Sequence, residues 1–392
     1  MSGTPSSSRV ESIDLLRGLV MIIMVLDHTR DYFTGMGSDP TDPARTHFAL
    51  FFTRWVTHFC APVFILLAGT GIFLAGSSKI SRPELRRWLI TRGLWLVILE
   101  ETVVKFGLLF NPGWGWYLGI VFWSIGWSMV VLAAVIGLPS RVVGAIGVAI
   151  IATHNLADRF QASDFGSLGP LWHVLHQPGM IPFARGQVFF VMYPLIPWVG
   201  VMMAGYALGE VFHWESRKRR TMLMSLGVAI TLAYVALRWS NLYGDPRPWS
   251  YVQNNERTLF SFLNASKYPP SLIFLLMTLG PALVILGLLE ATRPPGFLRV
   301  PLLTIGRVPL FFYLLQWYVI HGLAVLVAAV RGQPLDWLFP PTMPVLAPKI
   351  ASYGLSFVYL MWGVVLALMY PACTWYARLK QRRRDLWWLS YL

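Results

Sequence analysis

The chain has 392 residues, of which 56% are hydrophobic and 13% charged, against roughly 25% charged in an ordinary soluble domain. Its formal net charge of +14 does not mark a nucleic-acid binder, because the Lys and Arg residues sit in short clusters between apolar runs rather than along one polar face. An all-α polytopic integral membrane protein remains, with 18 Trp, 15 Tyr and 24 Phe to furnish two aromatic belts at headgroup depth.

A bilayer core about 30 Å thick takes roughly 20 apolar residues in a helix. In chain order such runs are read at 14–33, 50–76, 88–110, 116–137, 141–156, 188–212, 221–239, 270–290, 301–329 and 351–378. They predict about ten transmembrane helices in one domain over 1–392, with a tail at 1–11 and a basic tail at 379–392. Met1 to Ser8 is Ser-rich and uncharged, and no small-residue cleavage site follows the first run, which is expected to stay as a helix. The run at 141–156 is short and Gly-rich, which suits little tilt or a partly re-entrant path. Cys60 and Cys373 both lie inside apolar runs, where no exposed disulfide framework can form.

Lys and Arg set the orientation. With the N-terminus inside, the inner loops hold Lys79, Arg82, Arg86, Arg87 and Arg92, then Arg141, then Arg217 to Arg220, then Arg293 and Arg299, and last Arg378, Lys380, Arg382, Arg383 and Arg384. The longer outer loops carry Asp39, Asp42, Asp158, Asp164, Asp245, Glu256 and Asp336. Both termini are therefore expected in the cytoplasm and the protein in the inner membrane.

An ionisable group in a membrane helix costs about 2.5 to 3.5 kcal/mol on insertion scales, so each calls for a partner or a function. The first run ends Asp27-His28-Thr29-Arg30-Asp31 and the second begins Arg54-Trp-Val-Thr-His58, so Asp27 with Asp31 and Arg54 with His58 share helical faces. At 1.5 Å per residue, His28 lies about 20 Å from the inner end of its helix and His58 about 12 Å below the outer surface. Glu100, Glu101 and Lys105 reach a similar level on the third run, and His321 lies in the outer third of the ninth. One reading is that these groups only tie helices together, and Glu101 with Lys105 suits it best. The other is an acid/base set, since two imidazoles beside carboxylates titrate near neutrality. His47, in the first outer loop, reads equally as an ordinary solvated residue. His154, His173 and His176 come without HExxH, CxxC or a carboxylate-rich companion, so no metal site is expected. Arg17 sits one turn inside the membrane edge, where it snorkels or meets a phosphate.

The stretches Ser12-Ile-Asp-Leu-Leu-Arg-Gly18, Leu26-Asp-His-Thr-Arg-Asp-Tyr-Phe33, Arg54-Trp-Val-Thr-His-Phe-Cys-Ala-Pro-Val-Phe64 and Leu67-Ala-Gly69 resemble the bacterial relatives of heparan-alpha-glucosaminide N-acetyltransferase, within the wider transmembrane acyltransferase group. Pro197 to Gly209, Lys267-Tyr-Pro-Pro-Ser-Leu272, Met277 to Pro281, and Gly306-Arg-Val-Pro-Leu-Phe311 with His321 look like the same family. The resemblance implies acyl transfer from acyl-CoA, acetyl-CoA above all, to a sugar or other polar acceptor, with an outward-facing histidine as acyl carrier or general base. Registered on the Val63 to Gly69 block, the eukaryotic enzyme's catalytic histidine falls beside His47, whereas the bacterial pattern centres on Asp27-His28 and Thr57-His58. His58 is preferred, then His28, then His47. Gln316 stands where relatives often have a histidine.

The catalytic candidates are thus His58, His28, Asp27, Asp31, Arg54, Glu101, His321 and His47, and the candidates for CoA phosphates are Arg17, Arg86, Arg87 and Arg92. The expected partners are the lipid bilayer, the acyl donor and the acceptor, with no nucleic acid, and a homodimer is compatible with this reading. A proton-coupled transporter is the competing function, because intramembrane His, Glu and Asp also build proton relays. Against it, no pair of matching Gly/Pro-broken helices stands out in two halves. A structural subunit needs no such charged layer.

Overall fold

A helix that carries Glu11, Asp14, Arg17, Asp27, Arg30 and Asp31 is tolerated at membrane depth only when protein surrounds it. That is the position of α1 (Glu11–Phe33), most of whose residues are buried. The computed structural model describes residues 10–34, 39–77, 80–112, 115–183, 186–340, 353–383, 386 and 389. Met1 to Ser8, Lys79 and Arg384 lie outside them. After α1 come α2 (Phe48–Thr57), α3 (Cys60–Gly76), α4 (Arg82–Leu99), α5 (Lys105–Leu109), α6 (Val121–Val135), α7 (Ser140–Thr153) and α8 (Gly169–Leu175). Then follow α9 (Leu195–Leu208), α10 (Ser216–Ser240), α11 (Asn255–Leu263), α12 (Leu272–Ala291), α13 (Gly296–Gly306), α14 (Pro309–Val330) and α15 (Leu355–Arg382).

The protein is a helical, polytopic membrane protein. Among the described residues, seven segments are long and apolar enough to cross a bilayer, namely Phe48–Gly76, Ser140–Ala157, Leu195–His213, Ser216–Ser240, Leu272–Ala291, Pro309–Val330 and Leu355–Arg382. Val121–Val135 and Gly296–Gly306 are shorter apolar helices, and α1 and α4 reach spanning length with several charges each. The segment read as a tail from 379 begins as helix, since α15 runs on to Arg382.

Five of the expected runs are interrupted, the one at 116–137 by a strand at its start, Trp116–Gly119. The run at 50–76 loses regular α-helical bonding at His58 and Phe59, where Pro62 lacks the N–H that would bond the His58 carbonyl. The run at 88–110 contains a π-helical turn, Glu100–Val104. The run at 301–329 divides at Arg307 and Val308, just before Pro309. At 188–212 the aromatic and β-branched stretch Val188 to Val191 is strand rather than helix. It forms β3 (Gln187–Val191), parallel to β1 (Trp116–Gly119) and antiparallel to β2 (Gly179–Phe183), in the order β1-β3-β2. Trp116 faces Val188 and Gly179 faces Val191.

Side-chain bonds gather one set of helix ends. Arg299 pairs with Glu11 at 2.5 Å, Glu290 takes bonds from Ser12 and Arg219, Arg141 meets Glu210 at 3.1 Å, and Arg82 reaches the Gly137 carbonyl at 2.8 Å. This is the basic end. The sheet, α8 and α11 belong to the opposite, loop-rich end.

The centre of the bundle closes at glycines. A Cβ on Gly306 would lie 1.9 Å from the Asp14 carbonyl oxygen, and one on Gly18 would lie 2.1 Å from that of Leu302, so α1 and α13 touch backbone to backbone. This contact sets Arg17 beside Arg307, with Arg17 donating to Asp14 at 3.1 Å and to the Gly306 carbonyl at 3.4 Å. Gly306→Ala should therefore lower the yield of monodisperse protein in detergent, with overpacking costing about 1 to 3 kcal/mol. Gly363→Ala, in α15 with nothing within 4 Å of the added methyl, should leave that yield intact.

Candidate active site

A cavity of about 800 Å³ follows α1 from Arg17 to Thr34, about 25 Å of helix at 1.5 Å per residue. Arg17, Trp88, Arg92, Arg307 and Lys380 line it toward the basic end. Asp39, Pro40, Trp337 and Pro340 line it toward the loop-rich end. Between them the wall is apolar on one side, from Met24, Phe64, Leu67, Leu96, Phe122 and Met129. On the other side it is ionic, from Asp27, His28, Arg30, Asp31, Arg54 and Lys267.

The ionic side is built around Asp27. Arg30 approaches its Oδ1 at 2.8 Å and Arg54, from α2, pairs with its Oδ2. Arg30 also meets Asp31 Oδ1 at 2.7 Å, and Arg54 donates to Thr57 Oγ1 at 3.2 Å. The Asp27 side chain is 12% exposed and that of Asp31 47%, so the first is a buried bridge and the second faces open space. His28 follows directly, half-buried and lining the cavity. Its ring stacks on Trp317 with centroids 4.0 Å apart and 28° between planes, and meets Tyr313 edge-on at 6.4 Å. Its Nδ1 is buried, with the Gln316 side chain as a polar neighbour of the ring.

The other histidines are placed differently. His58, only 3% exposed, falls on the turn between α2 and α3, and its ring packs edge-on against Phe274 of α12 at 5.4 Å. Its neighbours Thr57, Cys60 and Ala61 line the cavity, while His58 is not among the lining residues. His47 caps α2, where its Nδ1 accepts from the Leu50 N–H at 3.5 Å, and is exposed. His321 is fully buried, with Nδ1 2.9 Å from the Gly107 carbonyl oxygen and Nε2 2.7 Å from that of Leu338. Both ring nitrogens thus face backbone carbonyl oxygens, and the N–H of the neutral ring donates to one of them.

Glu101 accepts from the Leu118 N–H at 2.7 Å and stands 3.6 Å from Lys105, which donates to the Trp116 carbonyl at 3.0 Å. Glu100 accepts from the N–H groups of Ile120 and Phe122 at 2.8 and 2.6 Å, capping the start of α6. The π turn thus delivers two carboxylates to backbone donors rather than to the cavity. Of the four arginines proposed for phosphate, Arg17 and Arg92 line the cavity. Arg86 and Arg87 border a separate surface depression, and Arg86 donates to the Ala133 and Ala134 carbonyls at the end of α6.

Among the histidines between α7 and α9, His176 Nε2 contacts Asp158 Oδ1 at 2.8 Å and His173 Nδ1 contacts the Gln177 carbonyl oxygen at 3.0 Å. Burial raises the Asp158 carboxyl, but the His176 and Asn155 hydrogen bonds bring it below its ordinary value. No group of three His, Cys, Asp or Glu residues able to hold a metal occurs among the described residues.

Arg30, Lys267, Tyr268, Tyr193, Arg307 and Trp317 also line the cavity, yet none was a candidate from sequence. The available signals were the Lys267-Tyr-Pro-Pro and Gly306-Arg-Val-Pro motifs, which set a cation beside each of two apolar runs.

A family model described as heparan-alpha-glucosaminide N-acetyltransferase, catalytic, matches residues 9–242, more than half of the chain and all of α1 to α10. A comparison with the curated proteins finds no match.

The bridge at Asp27 has a direct test. Asp27→Asn leaves Arg30 and Arg54 buried without their shared carboxylate, so thermal unfolding in detergent should shift by the equivalent of about 3 to 5 kcal/mol. Asp31→Asn, on the exposed side of the same arginine, should cost no more than about 1 kcal/mol.

Proposed function

We propose that this chain, which belongs to the heparan-alpha-glucosaminide N-acetyltransferase catalytic family, moves an acetyl group from acetyl-CoA to a sugar or other polar acceptor across the width of the membrane. One observation carries this reading: a single cavity lined by cations near the basic end, by Asp39 and Trp337 near the other, and by His28 between. Short, dense basic loops favour the cytoplasm for the basic end. A donor with nucleotide phosphates then enters past Arg17, Arg92, Arg307 and Lys380, with Trp88 beside them. The apolar wall suits the pantetheine arm, and the acceptor comes from the loop-rich side.

His28 is the base in this scheme. It takes the proton from the acceptor amine or hydroxyl as the lone pair attacks the thioester carbonyl carbon. The C–S bond then breaks, its electron pair goes to sulfur, and the same proton passes from the imidazole to the thiolate. The stack on Trp317 fixes the ring plane, and the paired Asp27 and Arg54 keep a fixed charge environment around it. His58 keeps its standing as the competing imidazole, because Thr57 and Cys60 on either side of it reach the cavity.

Purified protein incubated with acetyl-CoA and glucosamine, followed by release of free thiol, tests both points. The expected result is acceptor-dependent release that His28→Ala lowers by roughly 10² to 10⁴, the usual contribution of one general base. The opposite ranking, with His28→Ala spared and His58→Ala inactive, returns the role to His58. No thiol release with glucosamine or any member of an amine and polyol panel would leave a proton-coupled carrier as the better reading.

Orientation is tested separately. Ser216 and Asn255 are both exposed, and the native Cys60 and Cys373 are buried. An impermeant thiol reagent on intact cells should label Asn255→Cys and not Ser216→Cys. The reverse labelling would invert the topology and put the donor mouth outside.

A further inference from the structure

Charge in the buried layer does not balance. Asp27 is shared by Arg30 and Arg54, and Asp31 is held by Arg30. Lys267 enters the same cavity from the loop before α12, is 9% exposed, and has no carboxylate at ion-pair distance among the described residues. A buried ammonium without a counter-charge is expensive unless hydrogen bonds or a ligand compensate it. Its ammonium lies 5.2 Å from the Tyr268 ring centroid. Lys267, Tyr268 and Tyr193 all line the cavity. Tyr193 and Tyr268 stand edge to face at 5.5 Å, and Tyr313, also on the cavity, meets His28 edge-on.

The fold also spends bonds on holding this loop still. Asp245 accepts from Ser266 N–H, Ser266 Oγ and Ser271 Oγ, each at 2.8 Å, on both sides of Lys267. Arg238 donates to the carbonyls of Ser261, Phe262 and Asn264 at 2.9, 2.9 and 2.8 Å. Two charged side chains and two serines thus fix the backbone that carries one uncompensated cation and one phenol into the cavity.

We propose that Lys267 and Tyr268 are a catalytic pair that donates hydrogen bonds to the thioester carbonyl oxygen as it becomes an oxyanion, opposite the imidazole of His28. This rests on the acyl-transfer reading above and deepens it. When the acceptor lone pair forms its bond to the carbonyl carbon, the C=O π pair moves to oxygen. Lys267 supplies a fixed positive charge there and Tyr268 an O–H donor. When the pair returns to re-form C=O, the C–S bond breaks and sulfur leaves with its electrons, to be protonated by His28. Lys267 and Tyr268 end the cycle with their own protons. The transient oxyanion then supplies the counter-charge that Lys267 lacks at ion-pair distance among the described residues.

Full-length wild type, Lys267→Met, Lys267→Arg and Tyr268→Phe, each first shown to be monodisperse with an unchanged melting temperature, are compared by thiol release from acetyl-CoA with the best acceptor of the panel. Lys267→Met and Tyr268→Phe should each lower kcat by about 10² to 10³, the usual cost of one oxyanion donor, with KM for acetyl-CoA and acceptor unchanged. Lys267→Arg should recover part of the loss. The double variant should lose little more than either single one, because groups acting as a unit are not additive. Should Lys267→Met fail to fold, Tyr268→Phe decides alone, since it removes one oxygen and keeps the ring. Unchanged kcat in Tyr268→Phe overturns the pair. A rise confined to KM for the acceptor also overturns it, in favour of an anion clamp for acidic acceptors. An active wild type with unaffected variants defeats this inference only, whereas an inactive wild type defeats the acyl-transfer reading with it.

Discussion

Everything in the site hangs on one buried carboxylate. Asp27 lies deep in α1, and two arginines, one from its own helix and one from α2, share its two oxygens. A charge in low dielectric is stable only when paired, and here both oxygens are, Oδ2 by a hydrogen-bonded ion pair with Arg54 and Oδ1 by the nearby Arg30 charge without hydrogen-bond geometry. It also fixes rotation. With Asp27 turned to Arg54, the next residue, His28, must lie about 100° further round the helix. There it meets the cavity and the Trp317 face. The bridge thus orients the imidazole without touching it.

The backbone contact between α1 and α13 works at the other end of the same helix. Gly18 and Gly306 leave no room for a methyl, so Arg17 and Arg307 converge beside Asp14 at the mouth of the cavity. One central helix therefore lines both the cationic mouth and the ionic layer at Asp27, with apolar lining residues between them. Under the proposed transfer, a donor and an acceptor entering from opposite sides need that separation, and a helix buried along most of its length supplies it.

Much of this is legible in the residues. The apolar runs give the helical class and the basic clusters converge on one end; of the polar layer, Asp27, His28, Asp31 and Arg54 line one cavity, whereas His58, Glu101 and His321 do not. What spacing alone does not carry is which flank of a helical face meets the cavity. Counting at 100° per residue puts His58 within about 40° of Arg54, but Thr57, Cys60 and Ala61, which reach the cavity, lie on the other flank, and His58 packs against Phe274. Lys267 escapes for a related reason. Its placement comes from Asp245 and Arg238, distant in sequence and without any periodic signature, folding a loop back into the bundle.

The breaks also explain why an ionisable residue at membrane depth has two uses that sequence alone does not separate. Non-helical backbone inside a bilayer survives only where its N–H and C=O groups find partners in protein. Glu100 and Glu101 answer the N–H groups of Ile120, Phe122 and Leu118. Lys105 answers the Trp116 carbonyl, and His321 meets the carbonyls of Gly107 and Leu338. Each is a charged or imidazole side chain consumed by backbone next to a π turn, a strand or a loop. His28, Arg54 and Lys267 touch the cavity instead, and what separates the two groups is whether a side chain's bonds are already taken by main chain. A polar residue in such a fold becomes a candidate for chemistry when its backbone neighbours do not need it and it reaches the cavity; His28, in an unbroken helix, meets both conditions, whereas His58, whose Nδ1 is also without a partner among the described residues, meets only the first.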